Sequence, residues 1–217
     1  MKIYRVNLDY IKYLHENYDS RVQYNENQTK EYNENRPYVG VLLNINGMPY
    51  FAPLEHPRPQ HQTLKNNPHI IKIKDGKYGI IGLNNMIPVH TSQLIAFDIN
   101  KDPNRTILLT QFIFCQDNRK HLEERAANIY TRRTEHPNSF EEKVYCDFKK
   151  LEEGLKEYSS INNIELPQAL NQSIKAPEAA AKPLTMAERM AAAKEAARET
   201  AKETAATREM KKPPERE

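Results

Sequence analysis

The sequence predicts an α+β fold in which a strongly bent antiparallel sheet, or a small barrel, carries two long packed helices. The first half of the chain has two apolar, β-branched regions, each interrupted by a turn dipeptide, Asn46-Gly47 or Asp75-Gly76. From Thr106 onward, the apolar residues recur with the helical period of about 3.6 residues. A strand-rich half followed by a helical half is typical of an α+β domain.

The strand-rich half begins with a short strand at residues 2–6 and a helix at residues 8–16. Residues 23–35 are polar and rich in asparagine, which indicates a loop. The first predicted hairpin pairs residues 38–45 with residues 49–54 around a type I′ turn, and the second pairs residues 70–73 with residues 78–83.

The helical half begins with an apolar segment at residues 107–114 that we expect to be buried on most sides. A second helix is predicted to begin at Asn138, because Asn138 and Glu141 have the spacing of a capping box. One apolar stripe of this helix is expected in the core, and its members are Phe140, Val144, Phe148, Leu151 and Leu155.

The composition divides the chain of 217 residues into a domain of ordinary size and an appendage. Residues 1–165 carry the strand and helix patterns, and residues 166–183 are predicted to be a linker with Pro167, Pro177 and Pro183. Residues 184–217 are rich in Ala, Glu and Lys, which predicts a solvated helix or a disordered tail. An arm that binds a partner or RNA is the alternative for this tail.

Several protein classes lack support in this sequence. No apolar run reaches the length of about 18 residues that a membrane span needs, and the N-terminus lacks the layout of a signal peptide, so we expect a cytoplasmic protein without a membrane partner. No P-loop, GxGxxG or GxSxG motif is present. Cys115 and Cys146 are expected to be buried free thiols. His56, His61 and His69 lack clear zinc spacing, so we expect no metal and no small-molecule cofactor.

The open end of the first hairpin brings charged residues together. Because its two strands pair, Arg36 is expected beside the turn that contains Glu55, His56 and Arg58. Cleavage of RNA by its own 2′-hydroxyl needs a group that takes the hydroxyl proton, cations for the phosphorane charge and a proton donor for the leaving 5′-oxygen. In this hypothesis His56 is the base or the acid, Arg36 and Arg58 clamp phosphate oxygens, and Glu55 assists His56. Such loops are common on protein surfaces, so these residues alone are weak support.

The order of short motifs along the chain is more specific than any single one of them. The sequence reads Tyr-Ile-Lys-Tyr-Leu from Tyr10, Arg-Pro-Tyr-Val-Gly-Val from Arg36, and Tyr-Phe-Ala-Pro-Leu from Tyr50, after Asn46-Gly47. Leu-Asn-Asn-Met-Ile-Pro-Val follows from Leu83. Over roughly residues 1–160, this series resembles the ToxN/AbiQ family of type III toxin-antitoxin endoribonucleases.

The resemblance implies a Kid/MazF-like bent sheet with appended helices. It implies a toxin that cleaves A-rich cellular and phage RNA, including mRNA, and leaves 2′,3′-cyclic phosphate ends. It also implies a repeated pseudoknot RNA antitoxin that the toxin processes, that inhibits the toxin and that assembles with it into a closed RNA–protein ring. Phage defence by abortive infection and plasmid maintenance are the associated biology.

Carried over by position, the resemblance implies that the family's catalytic basic residue falls on Arg36 and its tyrosine on Tyr32. The family's hydroxyl-rich turn falls on Glu55-His56, and Arg58 replaces the usual lysine. An acid and an imidazole therefore stand where relatives carry Thr or Ser, so roles assigned to hydroxyls do not carry over. Arginine is a permanent cation, which favours His56 as the group that handles protons. The alternative function is a noncatalytic RNA-binding regulatory module.

Further residues are predicted to hold RNA outside the hairpin end. Tyr10 and Tyr38 are candidates for stacking on a base, and Asn84 and Asn85 either read base edges or form a simple turn. The net charge of +3 is a mild bias that permits an anionic partner. The residues predicted to attract phosphate are Lys12, His61, Lys65, Lys72, Lys74, Arg119, Lys120, Arg132 and Arg133.

Overall fold

The computed structural model describes residues 1–167 and confirms the predicted α+β class. One antiparallel sheet of seven strands has the order β4-β5-β3-β2-β1-β7, and β6 pairs with β3 beside this path. In the described residues the strand order does not close on itself, so the sheet is open rather than a barrel. The strands are β1 (Lys2–Val6), β2 (Pro37–Ile45), β3 (Met48–Glu55), β4 (Ile70–Lys72), β5 (Ile80–Gly82), β6 (Ile87–Pro88) and β7 (Leu94–Ile95).

The helices lie mainly in the second half of the chain, as predicted. The helices α1, α2 and α3 are short and lie in the connections between strands. The helices α4, α5 and α7 are long, and the short α6 precedes α7. The helices are α1 (Leu8–Asn17), α2 (Lys30–Glu34), α3 (Pro59–Thr63), α4 (Arg105–Asp117), α5 (Arg119–Glu135), α6 (Ser139–Val144) and α7 (Phe148–Ile161).

The β2–β3 hairpin forms the centre of the sheet and has the predicted turn. Asn46 and Gly47 both adopt positive φ angles, 51° and 88°, which is the geometry of a type I′ turn. Tyr38 pairs with Pro53 near the open end, and the register shifts between Gly40 and Leu43. The open end of the hairpin therefore places residue 36 close to residues 55–58, as the sequence predicted.

The core lies between this sheet and the helices α1, α5 and α7. Its largest fully buried side chains include Tyr10, Tyr50, Phe51 and Phe148. A carboxylate is buried among them, because Oε1 of Glu152 accepts hydrogen bonds from the hydroxyls of Tyr50 and Tyr130 at 2.9 and 2.5 Å. One polar group thus connects the sheet to two helices.

Three sequence predictions on the elements are wrong in part. Residues 23–35 are not all loop, because the hydroxyl of Thr29 accepts a hydrogen bond from the Tyr32 N–H and begins α2. The helix predicted to start at Thr106 is interrupted at Asn118, which divides it into α4 and α5. The second hairpin is shorter than expected, since its chain reverses through a turn at residues 73–78.

The helix predicted from Asn138 begins there, with the expected capping box to Glu141. It is nevertheless interrupted after α6, because the N–H groups of Cys146 and Asp147 donate to Asn84 and Asp19 instead of to a helical turn. Phe140 lies on α6 and is 55% exposed, so its predicted place in the core is wrong. The rest of the stripe packs against the core as predicted.

The apolar start of α4 is less buried than the sequence predicts. Leu108 is buried, but Ile113 is 56% exposed, and the other apolar side chains of this segment are half-buried. One side of α4 lines a cleft and another side lines a surface groove, so other elements cover these apolar side chains only in part. Cys115 and Cys146 are buried free thiols, as expected.

No helix in the described part of the chain is long and apolar enough to span a membrane. Most of the predicted linker and the whole of the predicted tail, residues 168–217, lie outside the described residues.

Candidate active site

A cleft of about 460 Å³ opens at the end of the β2–β3 hairpin, between α2, the hairpin and α4. It brings together all five residues that the sequence analysis proposed as catalytic, although they come from separate segments of the chain. The hairpin register explains the meeting, because β2 begins and β3 ends at this edge. These five residues are Tyr32, Arg36, Glu55, His56 and Arg58.

Two guanidinium groups of the cleft are arranged around one tyrosine. The Arg36 guanidinium carbon lies 5.8 Å from the centre of the Tyr32 ring, and Arg58 Nη2 donates to the Tyr32 hydroxyl at 3.2 Å. Arg36 Nη1 also donates to the amide oxygen of Gln23 at 3.0 Å. Within residues 1–167, neither arginine forms an ion pair with a carboxylate. Their charges are therefore left for an anion in the cleft.

The Glu55 carboxylate does not contact His56 as the sequence analysis expected. Its Oε2 lies 3.6 Å from Nε2 of His61, and no hydrogen bond joins it to His56 among the described residues. His56 is exposed in the cleft, whereas His61 is 2% exposed and lies behind Glu55. The predicted phosphate contact of His61 is therefore wrong.

The opposite wall of the cleft is a feature that sequence reasoning missed. Arg5 from β1 forms a 2.7 Å ion pair with Asp102, and its guanidinium carbon lies 4.5 Å from the centre of the Phe97 ring. Gln111 from α4 lines the same wall and donates to the main-chain oxygens of Glu55 and Tyr78 at 3.3 and 2.8 Å. No local motif marks this wall, because it forms only where β1 meets residues 97–111, which lie far away in the sequence.

Two aromatic residues that were predicted to stack on RNA bases are in the core. Tyr10 and Tyr38 have no exposed surface, and the Tyr10 hydroxyl donates to the main-chain oxygen of Pro88 at 2.6 Å. Burial raises the pKa of Tyr38 to about 12. A ring without an accessible face cannot stack on a base, so these two predictions are wrong.

The asparagine pair and one arginine pair hold elements of the fold together. Asn84 donates to the main-chain oxygen of Val144, and Asn85 donates to that of Arg21 at 2.8 Å. These bonds support the turn role, which the sequence analysis had left open beside base reading. Arg132 pairs with Glu141, and the largely buried Arg133 pairs with Asp147 at 3.2 Å, so these arginines are occupied within the fold.

The other predicted RNA contacts lie on the surface but do not converge on the cleft. Lys72 Nζ donates to the main-chain oxygens of Gln62 and Leu64, both at 3.0 Å, at the end of α3. Lys72 and Lys74 also line a second groove of about 500 Å³ with Ile113 and Phe114. Lys65 is exposed. The surface cations paired with acids of their own helix are Lys12, Arg119 and Lys120. Their contacts with RNA stay predictions.

Among residues 1–167, no three His, Cys, Asp or Glu side chains are grouped as ligands for a metal ion.

Two buried histidines are expected to make the fold less stable in mild acid. Burial holds the pKa of His61 and of His69 below the ordinary value of 6.5. Just below that pH, the unfolded chain therefore binds more protons than the folded chain, so the stability that these groups contribute is complete above it and is lost as the pH falls. We expect the melting temperature to decrease between about pH 7 and about pH 5.

The replacement His69→Gln is the check on this pH dependence. Asp19 does not interfere: burial opposes its charge, but bonds from Arg21 and Asp147 hold its pKa below 3.8, so its contribution is constant in this range. The variant should lose part of the decrease in melting temperature. A variant that melts with the pH dependence of the wild type would show that His69 is not responsible.

Comparisons with known proteins show the family to which this chain belongs. A family model described as the toxin ToxN of type III toxin-antitoxin systems matches residues 2–156. The endoribonuclease ToxN of Bacillus thuringiensis subsp. kurstaki is 32% identical over 167 residues, which cover 72% of this chain and 84% of that protein. The endoribonuclease AbiQ of Lactococcus lactis subsp. lactis is 27% identical over 164 residues, which cover 70% and 86%.

Solved structures show the same fold. A structure of AbiQ, described as a lactococcal anti-phage endoribonuclease of a type III system, superposes with a TM-score of 0.64 at 28% identity and covers 73% of this chain and 98% of its own. A toxin structure from a study of selective inhibition by a non-coding RNA pseudoknot superposes with a TM-score of 0.62 at 32% identity, covering 73% and 97%. The likeness to Kid/MazF proteins stays a prediction. The chain belongs to the ToxN family and is an endoribonuclease toxin of a type III toxin-antitoxin system.

Proposed function

We propose that this toxin cleaves RNA without a metal ion, by attack of the 2′-hydroxyl on the adjacent phosphate, and leaves 2′,3′-cyclic phosphate and 5′-hydroxyl ends. The observation that carries the proposal is the pair Arg36 and Arg58, which have no carboxylate partner among the described residues and share a cleft with Glu55 and His56. This is the set of groups that such a transfer needs.

The two arginines stabilise the charge that builds up on phosphorus. Planar guanidinium groups bind two phosphate oxygens at once, and their charge persists at every working pH. Arg36 and Arg58 approach Tyr32 from its ring and from its hydroxyl, which fixes both groups before the substrate arrives. His56 is exposed in the cleft and is free to exchange protons with the substrate.

An RNA antitoxin is the proposed regulator of this activity. Support comes from the relatives, one of which is described as inhibited by a non-coding RNA pseudoknot and another as anti-phage. We infer that a repeated pseudoknot RNA inhibits this chain, is processed by it and assembles with it into a closed ring in the cytoplasm. Cellular and phage mRNA are the proposed substrates when the antitoxin is lost, and abortive infection is the proposed outcome.

The test is to map RNA ends after the toxin is induced without its antitoxin. We expect new 5′-hydroxyl ends at a recurring sequence, and the purified chain should make the same cuts in EDTA. Arg36→Ala should lower kcat/KM by about 10²- to 10³-fold, the usual loss when one stabilising donor is removed. Lys156→Ala, which changes an exposed cation on α7 that does not line the cleft, is the matched control and should keep full activity.

Two outcomes would contradict the proposal. Growth arrest without new RNA ends would favour the noncatalytic RNA-binding module, in which the cleft binds RNA but does not cut it. Cleavage that disappears in EDTA and returns with a divalent cation would contradict metal independence.

A further inference from the structure

Glu55 in the cleft and His61 behind it form a pair whose interaction the proposed mechanism does not yet use. Glu55 lines the cleft with a side chain that is 20% exposed, and its Oε2 lies 3.6 Å from Nε2 of the buried His61. Nδ1 of His61 has no hydrogen-bond partner among the described residues, so Glu55 is the one charged acceptor that this imidazole meets.

The main chain of Glu55 is fixed from three sides. Glu55 is the last residue of β3 and pairs with Ile80 of β5. Its carbonyl oxygen accepts a hydrogen bond from Gln111, and a Cβ on Gly79 would lie only 1.9 Å from the same oxygen. Close packing at a glycine with a φ of +90° therefore sets the position of the main chain from which this carboxylate extends.

His61 is fixed just as firmly, from the other side. A Cβ on Gly76 would lie 2.5 Å from the His61 carbonyl oxygen, so the turn at residues 73–78 packs directly against α3. Lys72 holds the end of the same helix through its bonds to Gln62 and Leu64. The main chains that carry the imidazole and the carboxylate are thus held in place on both sides.

The charge state of His61 suits a donor to a carboxylate. Burial lowers the pKa of His61, an effect that Glu55 opposes and Arg58 reinforces. The ring is therefore neutral at neutral pH, and its single proton is favoured on Nε2, the nitrogen that faces Glu55. At 3.6 Å this N–H lies just beyond hydrogen-bond distance in the free protein, and its dipole stabilises the nearby carboxylate without cancelling its charge.

We propose that His61 is a positioning residue that holds Glu55 as the base for the 2′-hydroxyl, which leaves His56 as the acid. The inference rests on the proposed RNA cleavage. Glu55 takes the 2′-hydroxyl proton while the 2′-oxygen bonds to phosphorus. The bond from phosphorus to the 5′-oxygen then breaks, and the 5′-oxygen takes the proton of a protonated His56.

A substrate with sulfur in place of the bridging 5′-oxygen separates the two roles, since a thiolate leaves without being protonated. We expect His56→Ala to regain most of the wild-type rate on this oligonucleotide, which spans a mapped cleavage site. Glu55→Gln should remain about 10²- to 10⁴-fold slower on both substrates, because base catalysis is still needed. Recovery of Glu55→Gln on the sulfur substrate would overturn the assignment.

The role of His61 is tested on the same two substrates. His61→Met should lower kcat about tenfold on both substrates, because the base Glu55 is misplaced. KM should change little, because the two arginines that bind the phosphate are unaffected. His61→Gln keeps an N–H group near the position of Nε2 and should stay within about threefold of the wild type. If the melting temperature of His61→Met is well below that of the wild type, His61→Leu is used in its place.

His69→Leu is the matched control, because His69 is also buried but lies outside the cleft. It should cut at the wild-type rate. If His61→Met and His61→Leu cut at that rate too, His61 does not position the base, and the inference is overturned while RNA cleavage stands. If the wild-type chain cuts neither substrate, the proposed function fails and the inference with it.

Discussion

Replacing His56 with alanine is expected to slow RNA cleavage by about 10²- to 10⁴-fold, the usual contribution of one proton-transfer group. His56 is the exposed imidazole of the cleft and lies on the same short turn as Arg58. Proline follows it at position 57, which restricts the backbone there and keeps the ring near the phosphate site. Induction of this variant without antitoxin should no longer arrest growth.

His121→Ala is the control for this experiment, because His121 is exposed on α5 and does not line the cleft. The cleavage rates of the variant, the control and the wild type are compared at RNA concentrations that give equal binding. Binding is measured by fluorescence anisotropy with an uncleavable 2′-deoxy oligonucleotide. A His56→Ala chain that retains more than about a tenth of the wild-type rate would show that this imidazole transfers no proton in the reaction.

Replacing Glu152 with alanine is expected to destabilise the fold by about 3 to 5 kcal/mol, as is usual when one partner of a buried charged network is removed. Besides the two tyrosine hydroxyls, the Glu152 carboxylate accepts a bond from Lys149 at 3.2 Å. Burial raises the pKa of Tyr50 and of Tyr130, so both hydroxyls stay protonated and need an acceptor. Without Glu152, the buried Tyr130 hydroxyl loses its acceptor, and the Tyr50 hydroxyl keeps only a long bond of 3.4 Å to the main-chain oxygen of Phe148.

Urea unfolding followed by circular dichroism measures this loss. Glu153→Ala changes the neighbouring, exposed residue of α7 and should alter the free energy of unfolding by no more than about 0.5 kcal/mol. Glu152→Gln retains an acceptor oxygen, so its loss of unfolding free energy should lie between those of Glu152→Ala and Glu153→Ala. A loss below about 1 kcal/mol in Glu152→Ala would mean that the tyrosines find other acceptors.

The sequence by itself determined the hairpins and, through them, the candidate site. The turn at Asn46-Gly47 is a local signal, since only certain residues adopt two successive positive φ angles, and antiparallel pairing then brings Arg36 to Glu55 and His56. The capping box at Asn138 is local in the same way. Predictions of this kind depend on a few neighbouring residues, and for that reason they can be made correctly without knowledge of the fold.

Only the tertiary structure decided which side chains are available at the surface. Tyr10 and Tyr38 are aromatic residues suited to stacking, yet other elements cover them completely, while Phe140 in an apolar stripe is left exposed. The wall made by Arg5 and Asp102 joins residues 97 positions apart in the chain. His61 likewise lies close to Glu55 because the turn at Gly76 packs against α3, the helix that carries His61. Burial and long-range contacts depend on how elements pack together, and periodicity in one segment does not contain that information.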